Sequence, residues 1–357
     1  MRLDYYWKRA AAGVAAMMLL LAGPTGVESF AMPGGSLQNT VNAPEHLIIS
    51  GSQTPAEGSG GQMVSPKAET LPFGSVNTPV TDPNTMFGPG RLTMYANHAT
   101  NAQLLSVIIE TGEGGLIVVD GGWRENAPYL LEQIKQKGGH VQAWLLTHPD
   151  SDHAGALYEI LNSHLGEITL DGVYYDFQDP AWYQEKDAEM YGMVWLLNQA
   201  FAKTPQEILH GDLTAGQVIE AGPAKIQVLN QSYRLDADPV NNSSVAYLVS
   251  LNGTNVVFLG DLAYEGGERL RQEVDLRSLG CDVVQMAHHG QNGVGYYVYK
   301  ELKPTACLWP TPQWLWDNDS GSGENSGSWK TMETRGWMSR LEVGMNYCIK
   351  DGDQVIE

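Results

Sequence analysis

The segment Thr147-His148-Pro149-Asp150-Ser151-Asp152-His153-Ala154-Gly155 crowds two imidazoles and two carboxylates into six positions. An apolar run precedes it and a stretch with helical spacing follows. Packing such groups together is costly unless a cation neutralises the carboxylates. Imidazole nitrogens and carboxylate oxygens together suit zinc or manganese. Three further segments repeat the pattern of an apolar run that ends in polar groups. Val257-Phe258-Leu259-Gly260-Asp261 delivers a carboxylate after a glycine. Val283-Val284-Gln285-Met286-Ala287-His288-His289-Gly290 delivers paired histidines, and Leu116-Ile117-Val118-Val119-Asp120 delivers an Asp before a Gly-Gly turn. One strand-terminal Asp is an ordinary turn residue. Four such ends read as one rim.

The elements that must position these groups start at Arg91. Strands are expected at Leu92 to Ala96, Leu104 to Glu110, Leu116 to Asp120 and Val141 to Thr147. Others follow at Glu167 to Tyr175, Ala224 to Asn230, Val245 to Leu251, Asn255 to Leu259 and Asp282 to Ala287. Helical spacing marks Ala127 to Lys137, Ala154 to Asn162, Trp182 to Lys203 and Glu265 to Leu279. The irregular alternation, with hairpins among the strands, predicts two mixed sheets flanked by helices rather than one parallel sheet.

These segments resemble the metallo-β-lactamase superfamily, in particular the branch typified by the hydrolase domain of ComEC-type DNA-uptake proteins. That branch carries H-x-D-x-D-H, an Asn/Ser segment, a Gly-Asp and a His-His-Gly. The matching residues here are His148 to His153, Asn241-Asn242-Ser243-Ser244, Gly260-Asp261 and His288-His289-Gly290. The resemblance spans about Leu92 to Ile356 and implies an αβ/βα four-layer sandwich of two mixed sheets. It further implies that His148, Asp150, Asp152, His153, Asp261 and His288 are metal ligands, with Asp261 bridging two ions. The superfamily's usual third histidine has no counterpart in the Asn241–Ser244 segment, so one or two divalent ions are expected, zinc first and manganese second. Two cations would hold a water as hydroxide at neutral pH and stabilise charge on the leaving group. Asp152 would orient that hydroxide. His289 would either protonate the leaving group or support the site, and Asp120 and Asn242 would support it through hydrogen bonds. The branch's early Gly-Gln-Gly-Asp turn is missing. His98 stands near that place, as a substrate-facing group or an ordinary loop histidine. No G-x-S-x-G nucleophile elbow is present.

Composition narrows the partners. The chain has 357 residues, with 21 Lys and Arg against 41 Asp and Glu, a net charge of −20. Such a surface repels phosphate backbones, and no basic stripe offers counterion release, so high-affinity binding of bulk nucleic acid is not expected. The three cysteines allow at most one disulfide and show no CxxC spacing. Arg2, Lys8 and Arg9 precede a 14-residue apolar run, Ala10 to Gly23, which is short of the ~20 residues a spanning helix needs. Ser29-Phe30-Ala31 supplies small residues at a cleavage site. Residues 1–31 therefore read as a secretory signal, 32–90 as a Gly/Ser/Pro-rich linker or arm, and 91–357 as the hydrolase domain. Cleavage would leave a secreted protein with no stable membrane span. Trp309, Trp314 and Trp316 are candidates for stacking on substrate, or else indoles that staple a loop to the domain. A second aromatic group, Tyr174 to Trp195, reads as core or as the opposite wall of a cleft.

The reading is an exported metal-dependent hydrolase acting on a small or cell-surface phosphodiester, or on nucleic acid. Carboxylic-ester or lactone hydrolysis on the same metals is the alternative within enzymes. A non-catalytic surface carbohydrate-binding protein is the alternative outside them.

Overall fold

The computed structural model describes residues 86–188 and 190–357. The signal segment and residues 32–85 lie outside the described residues. Residues 86–90, within the stretch read as an arm, pack on the domain. Phe87 is fully buried in the central core, and the Met86 N–H donates to the Glu357 carbonyl at 2.7 Å.

In chain order, β1 (Arg91–Met94), β2 (Ser106–Glu110) and β3 (Leu116–Asp120) form an antiparallel meander. Helix α1 (Ala127–Gln136) crosses to β4 (His140–Leu145), which runs parallel to β3. Helix α2 (Ser151–Ser163) leads to the short strands β5 (Thr169–Leu170) and β6 (Val173–Tyr174). Helices α3 (Pro180–Lys186) and α4 (Tyr191–Phe201) lead to β7 (Leu209–His210). A second meander follows: β8 (Val218–Ala221), β9 (Ala224–Val228), β10 (Tyr247–Leu251) and β11 (Thr254–Phe258). Helix α5 (Tyr264–Glu273), β12 (Val283–Gln285), α6 (Tyr296–Leu302) and β13 (Ala306–Trp309) continue as parallel crossovers. After α7 (Gln313–Trp316) and α8 (Thr331–Arg340), β14 (Met345–Cys348) closes the second sheet. Strand β15 (Gln354–Ile356) returns to the first sheet beside β1.

Among the described residues the first sheet has eight strands in the order β15-β1-β2-β3-β4-β6-β7, with β5 also on β4. The second has seven, β14-β13-β12-β11-β10-β9-β8. Each is antiparallel in one half and parallel in the other, so both are mixed.

Side-chain alternation builds the layers. In β2 and β3, Val107, Ile109, Ile117 and Val119 face the second sheet, where Ile226, Val249, Val256 and Phe258 meet them. Their neighbours Ile108, Leu116 and Val118 face outward under Leu130 and Ile134 of α1 and Leu157 and Ile160 of α2. Val257, Val284 and Cys307 of the second sheet likewise lie under Leu270 of α5, Val298 and Leu302 of α6 and Met338 of α8. Strands covered on both faces explain why their sequences are continuous apolar runs. Each full burial of a Val or Leu contributes about 1.5–3 kcal/mol. The result is a helix–sheet–sheet–helix sandwich.

The stretch Trp182 to Lys203, expected as one helix, is two, because the chain turns extended at Asp187. The expected strand from Glu167 to Tyr175 is interrupted by Asp171 and Gly172. Strands β3, β4, β11 and β12 all direct their carboxyl ends to the same edge of the sandwich. Ligands bind in α/β sheets at such ends.

Candidate metal centre

From the first sheet, Asp120 closes β3 in a left-handed conformation (φ 53°) and is fully buried. Its Oδ1 accepts the Thr147 backbone N–H at 2.8 Å. Its Oδ2 accepts the Thr147 hydroxyl at 2.8 Å and His153 Nδ1–H at 2.7 Å. Asp150 holds the N-cap position of α2 with extended backbone (ψ 152°), yet its carboxylate makes no capping bond. That carboxylate faces His148 instead, Oδ2 to Nε2 at 3.4 Å. Gly155 lets α2 close on the loop after β3, since a Cβ there would fall 2.5 Å from the Arg124 nitrogen.

From the second sheet, the chain turns at Gly260 (φ 55°), where a Cβ would fall 2.8 Å from Thr147 Cβ and 2.9 Å from Ser244 Oγ. Only glycine fits. The turn presents Asp261, whose N–H donates to Ser244 Oγ at 3.0 Å. Asn242 Oδ1 accepts the N–H groups of Ala263 and Gly266, and Asn242 Nδ2 donates to the Ala237 carbonyl, fixing the start of α5. Past β12 the backbone passes through two left-handed residues, His288 (φ 50°) and His289 (φ 54°). This swings His289 inward, where its Nδ1–H donates to the Pro310 carbonyl at 3.1 Å.

Hydrogen-bond chemistry assigns the imidazole protons. A carboxylate oxygen accepts from His153 Nδ1 and a carbonyl accepts from His289 Nδ1, so both nitrogens carry hydrogen. The Thr147 hydroxyl gives its proton to Asp120 and therefore accepts from His148 Nδ1 at 3.0 Å. In the neutral imidazoles all three Nε2 atoms are then the lone pairs, turned inward. His153 Nε2 and His289 Nε2 stand 3.3 Å apart, and His289 Nε2 lies 3.2 Å from both Asp152 Oδ2 and Asp261 Oδ2. His153 Nε2 lies 3.3 Å from Asp261 Oδ1. His148 Nε2, Asp150 Oδ1 and Asp261 Oδ1 are buried without a hydrogen-bond partner. Facing lone pairs and orphaned acceptors repel one another unless a proton or cation lies between them.

The donors form two overlapping sets able to hold a metal ion, His148–His153–Asp261 and Asp152–His153–His289. Asp261 touches both through its two oxygens, Oδ1 toward His153 and Oδ2 toward His289. The residues present fit divalent cations. The buried donors also stabilise one another's charge. Burial disfavours charge on Asp261, yet His153, His289 and His288 beside it hold its carboxyl well below the usual range. Burial likewise opposes charge on His289, but Asp261 and Asp152 outweigh it and lift its pKa to about 9. The Asp150 carboxyl, by contrast, is pushed up by burial.

Of the residues singled out in the sequence, the structure brings His148, Asp150, Asp152, His153 and Asp261 together. Of the two adjacent histidines, it places the ring of His289 among the donors. His289, expected as a proton donor or support, points into the cluster. His288, expected as a ligand, stands outside it, with Nε2 3.9 Å from Asp261 Oδ2 and Nδ1 4.0 Å from Asp238 Oδ2. The left-handed turn places successive side chains on different sides, so only one can point in. Asp120, expected as a support, accepts from His153 Nδ1, whereas Asn242, also expected as a support, bonds only backbone groups around the start of α5.

The aromatic candidates fare differently. Trp309 is fully buried, donates to Asn346 Oδ1 at 2.9 Å and packs edge-on to Trp316, also buried; neither lines a substrate cleft. Trp314 packs on Trp329 and donates to the Asn101 carbonyl, tying down the 97–103 loop. His98 pairs with Asp353 at 2.8 Å and lies tilted against Tyr129, with ring centroids 4.0 Å apart. All three cysteines are buried and free.

Two supports carry no motif signal. Thr147 links Asp120 to His148, as above. Gln285 accepts the Leu259 N–H and donates to the Gly260 and Met286 carbonyls, joining β11 to β12 just below the site. A Gln inside an otherwise apolar run was the available sign.

Residues 100–224 match the family model of the metallo-beta-lactamase superfamily. The match supports that superfamily, whose fold points to a metal-dependent hydrolase. The superfamily model covers the His148–His153 segment, and the donors from the second sheet come from beyond it. Among solved structures, the metallo-beta-lactamase fold protein YhfI from Bacillus subtilis is 14% identical, with 74% of this chain and 99% of that one covered and a TM-score of 0.45. The Rm3 metallo-beta-lactamase is 19% identical, with 70% and 88% covered and a TM-score of 0.37. No curated protein matches the chain.

Proposed function

We propose that this chain is an exported hydrolase of phosphodiester bonds that works with one or two divalent cations, zinc or manganese. The observation that carries the reading is the convergence of two overlapping buried donor sets, His148–His153–Asp261 and Asp152–His153–His289, with the Asp150 carboxylate beside His148. Cations held there would lower the pKa of water and neutralise charge on a phosphoryl oxygen. Three carboxylates among the donors favour oxygen-loving ions, which suits an anionic phosphoester. The ComEC-type branch, suggested by His148 to His153, Gly260-Asp261 and His288-His289-Gly290, favours phosphoester chemistry in the same way.

The chain's own residues have separable tasks. His148, His153, His289 and Asp261 bind. Asp120 and Thr147 hold the outward protons at Nδ1 of His153 and His148, which keeps Nε2 free for the cation. Asp152 accepts a hydrogen bond from the attacking water and orients it. The net charge of −20 keeps bulk nucleic acid from binding tightly, so selection favours a small or cell-surface phosphodiester. No helix among the described residues is long and apolar enough to cross a membrane.

Metal analysis of the purified protein, then turnover of bis(4-nitrophenyl) phosphate, a lactone and DNA, tests the reading. Cation-dependent cleavage of the phosphodiester is expected. Lactone turnover without phosphodiester turnover would replace it with the ester reading. A mass spectrum of the protein recovered from culture medium, starting at Met32, tests export.

A further inference from the structure

We propose that His288 is a substrate-binding residue, donating a hydrogen bond from its imidazole to an oxygen of the phosphodiester held at the cations. This inference rests on the metal-dependent phosphodiesterase reading and adds a contact to it. Three observations converge on His288. First, its side chain is 16% exposed, whereas those of His148, His153 and His289 are exposed by 1% or less. It therefore stands at the mouth of the centre rather than in it.

Second, its hydrogen-bonding capacity is unspent. Nδ1 is buried with no partner. The carboxylates facing its two nitrogens, Asp261 from α5's leading turn and Asp238 from the opposite loop, stay 3.9 and 4.0 Å away, beyond hydrogen-bond reach. A neutral imidazole always carries one N–H, so a donor is present whichever tautomer holds. Asn241 Nδ2 donates to Asp238 Oδ1 at 2.8 Å and turns Oδ2 toward His288, which fixes the ring's surroundings.

Third, the backbone is strained. His288 sits at φ 50° and Asp238 at φ 43°. A left-handed non-glycine residue costs on the order of 1–2 kcal/mol. At His289 the strain accompanies delivery of a ring to the cluster. At position 288 a glycine would turn the chain without that cost, and the imidazole forms no hydrogen bond that offsets it. Strain of this kind gathers where a side chain must meet a ligand. With Nε2 3.9 Å from Asp261 Oδ2, an oxygen of a substrate held beside Asp261 comes within reach of the ring.

The test uses His288→Gly, which removes the imidazole and tolerates the left-handed backbone at φ 50°, with circular dichroism confirming the fold. His288→Gln restores a donor, and His289→Ala is the control for cation loss. Cation content per chain is measured first, then binding of inorganic phosphate by calorimetry, then kcat/KM for bis(4-nitrophenyl) phosphate. His288→Gly is expected to keep the parent's cation content while phosphate affinity and kcat/KM fall by roughly 10–100-fold, the effect of losing a hydrogen bond to a charged group. His288→Gln is expected to regain part of both, and His289→Ala to lose cation. Loss of a cation from His288→Gly would make His288 a ligand and overturn the inference alone. Unchanged phosphate affinity and turnover in that variant would overturn it as well. A parent protein that takes up no cation, or takes it up and ignores phosphate, overturns the underlying reading and this inference together.

Discussion

The two sheets supply the centre in contrasting ways. The first gives His148, Asp150, Asp152 and His153 from one strand-to-helix junction, and a single buried carboxylate, Asp120, ties that junction down through three hydrogen bonds. The second gives Asp261 and His289 from separate strand ends, each reached through left-handed backbone at Gly260 or at His288 and His289. The first side shares one buried support, Asp120, while on the second each donor has its own turn and its own hydrogen bond, Asp261 to Ser244 and His289 to Pro310. The first side should therefore fail by losing its support, and the second by losing a single donor.

The largest expected effect comes from Asp261→Ala. It removes the carboxylate that touches both donor sets, so turnover should drop to background and cation content should fall, while circular dichroism stays native. Near-normal turnover would mean that the second sheet contributes no shared ligand. Asp120→Ala tests the first side. It leaves His153 Nδ1 and both Thr147 donors unpaired inside the protein. A cost of about 3–5 kcal/mol in urea unfolding and roughly 10–100-fold in metal affinity is expected. A variant that lost metal but kept full stability would show that the junction does not depend on Asp120.

Cation removal is next in size. Chelated protein should melt lower, by an amount equivalent to about 2.7 kcal/mol when the free ion had stood at 100 times its dissociation constant. Differential scanning calorimetry with and without chelator reads this directly. Asn242→Ala is the milder test of the second side. It releases the N–H groups of Ala263 and Gly266, and about 1–3 kcal/mol of stability should go with them, with cation content retained. Trp309→Phe should change least. About 1 kcal/mol is lost with the hydrogen bond to Asn346, and KM stays at the parent value. A raised KM would restore Trp309 to the substrate wall.

The same contrast governs what the sequence reveals. The junction is legible because its donors are neighbours in the chain, and four apolar runs ending in polar groups announce the rim and the mixed sheets that form it. The second side is legible only to the pair. Nothing in Ala287-His288-His289-Gly290 says which histidine turns inward, because the choice is made by two left-handed φ angles and by the Pro310 carbonyl, which lies 21 positions downstream of His289. Tryptophans crowded around a polar loop look like a binding wall. The burial of Trp309 and Trp316 depends on packing among β13, α7 and α8, and these elements lack the long periodic patterns that betray helices or strands. Asp171 and Gly172 split a strand for a related reason, since a short edge segment is shaped by its neighbours more than by its own residues.

Strand β15 gives the fold a topological closure with a kinetic cost. Leu92 pairs with Ile356, and the Met86 N–H meets the Glu357 carbonyl, so the first and last described segments lie side by side. The edge of the first sheet therefore stays open until almost the whole chain is available. Such long-range pairing slows folding, because the entropy of closing the loop is lost before the contact forms. A nascent chain would hold β1 exposed throughout its synthesis. Joining Glu357 to Met86 by a short linker and opening the chain at a surface loop, in a circular permutant, would turn this long-range contact into a local hairpin.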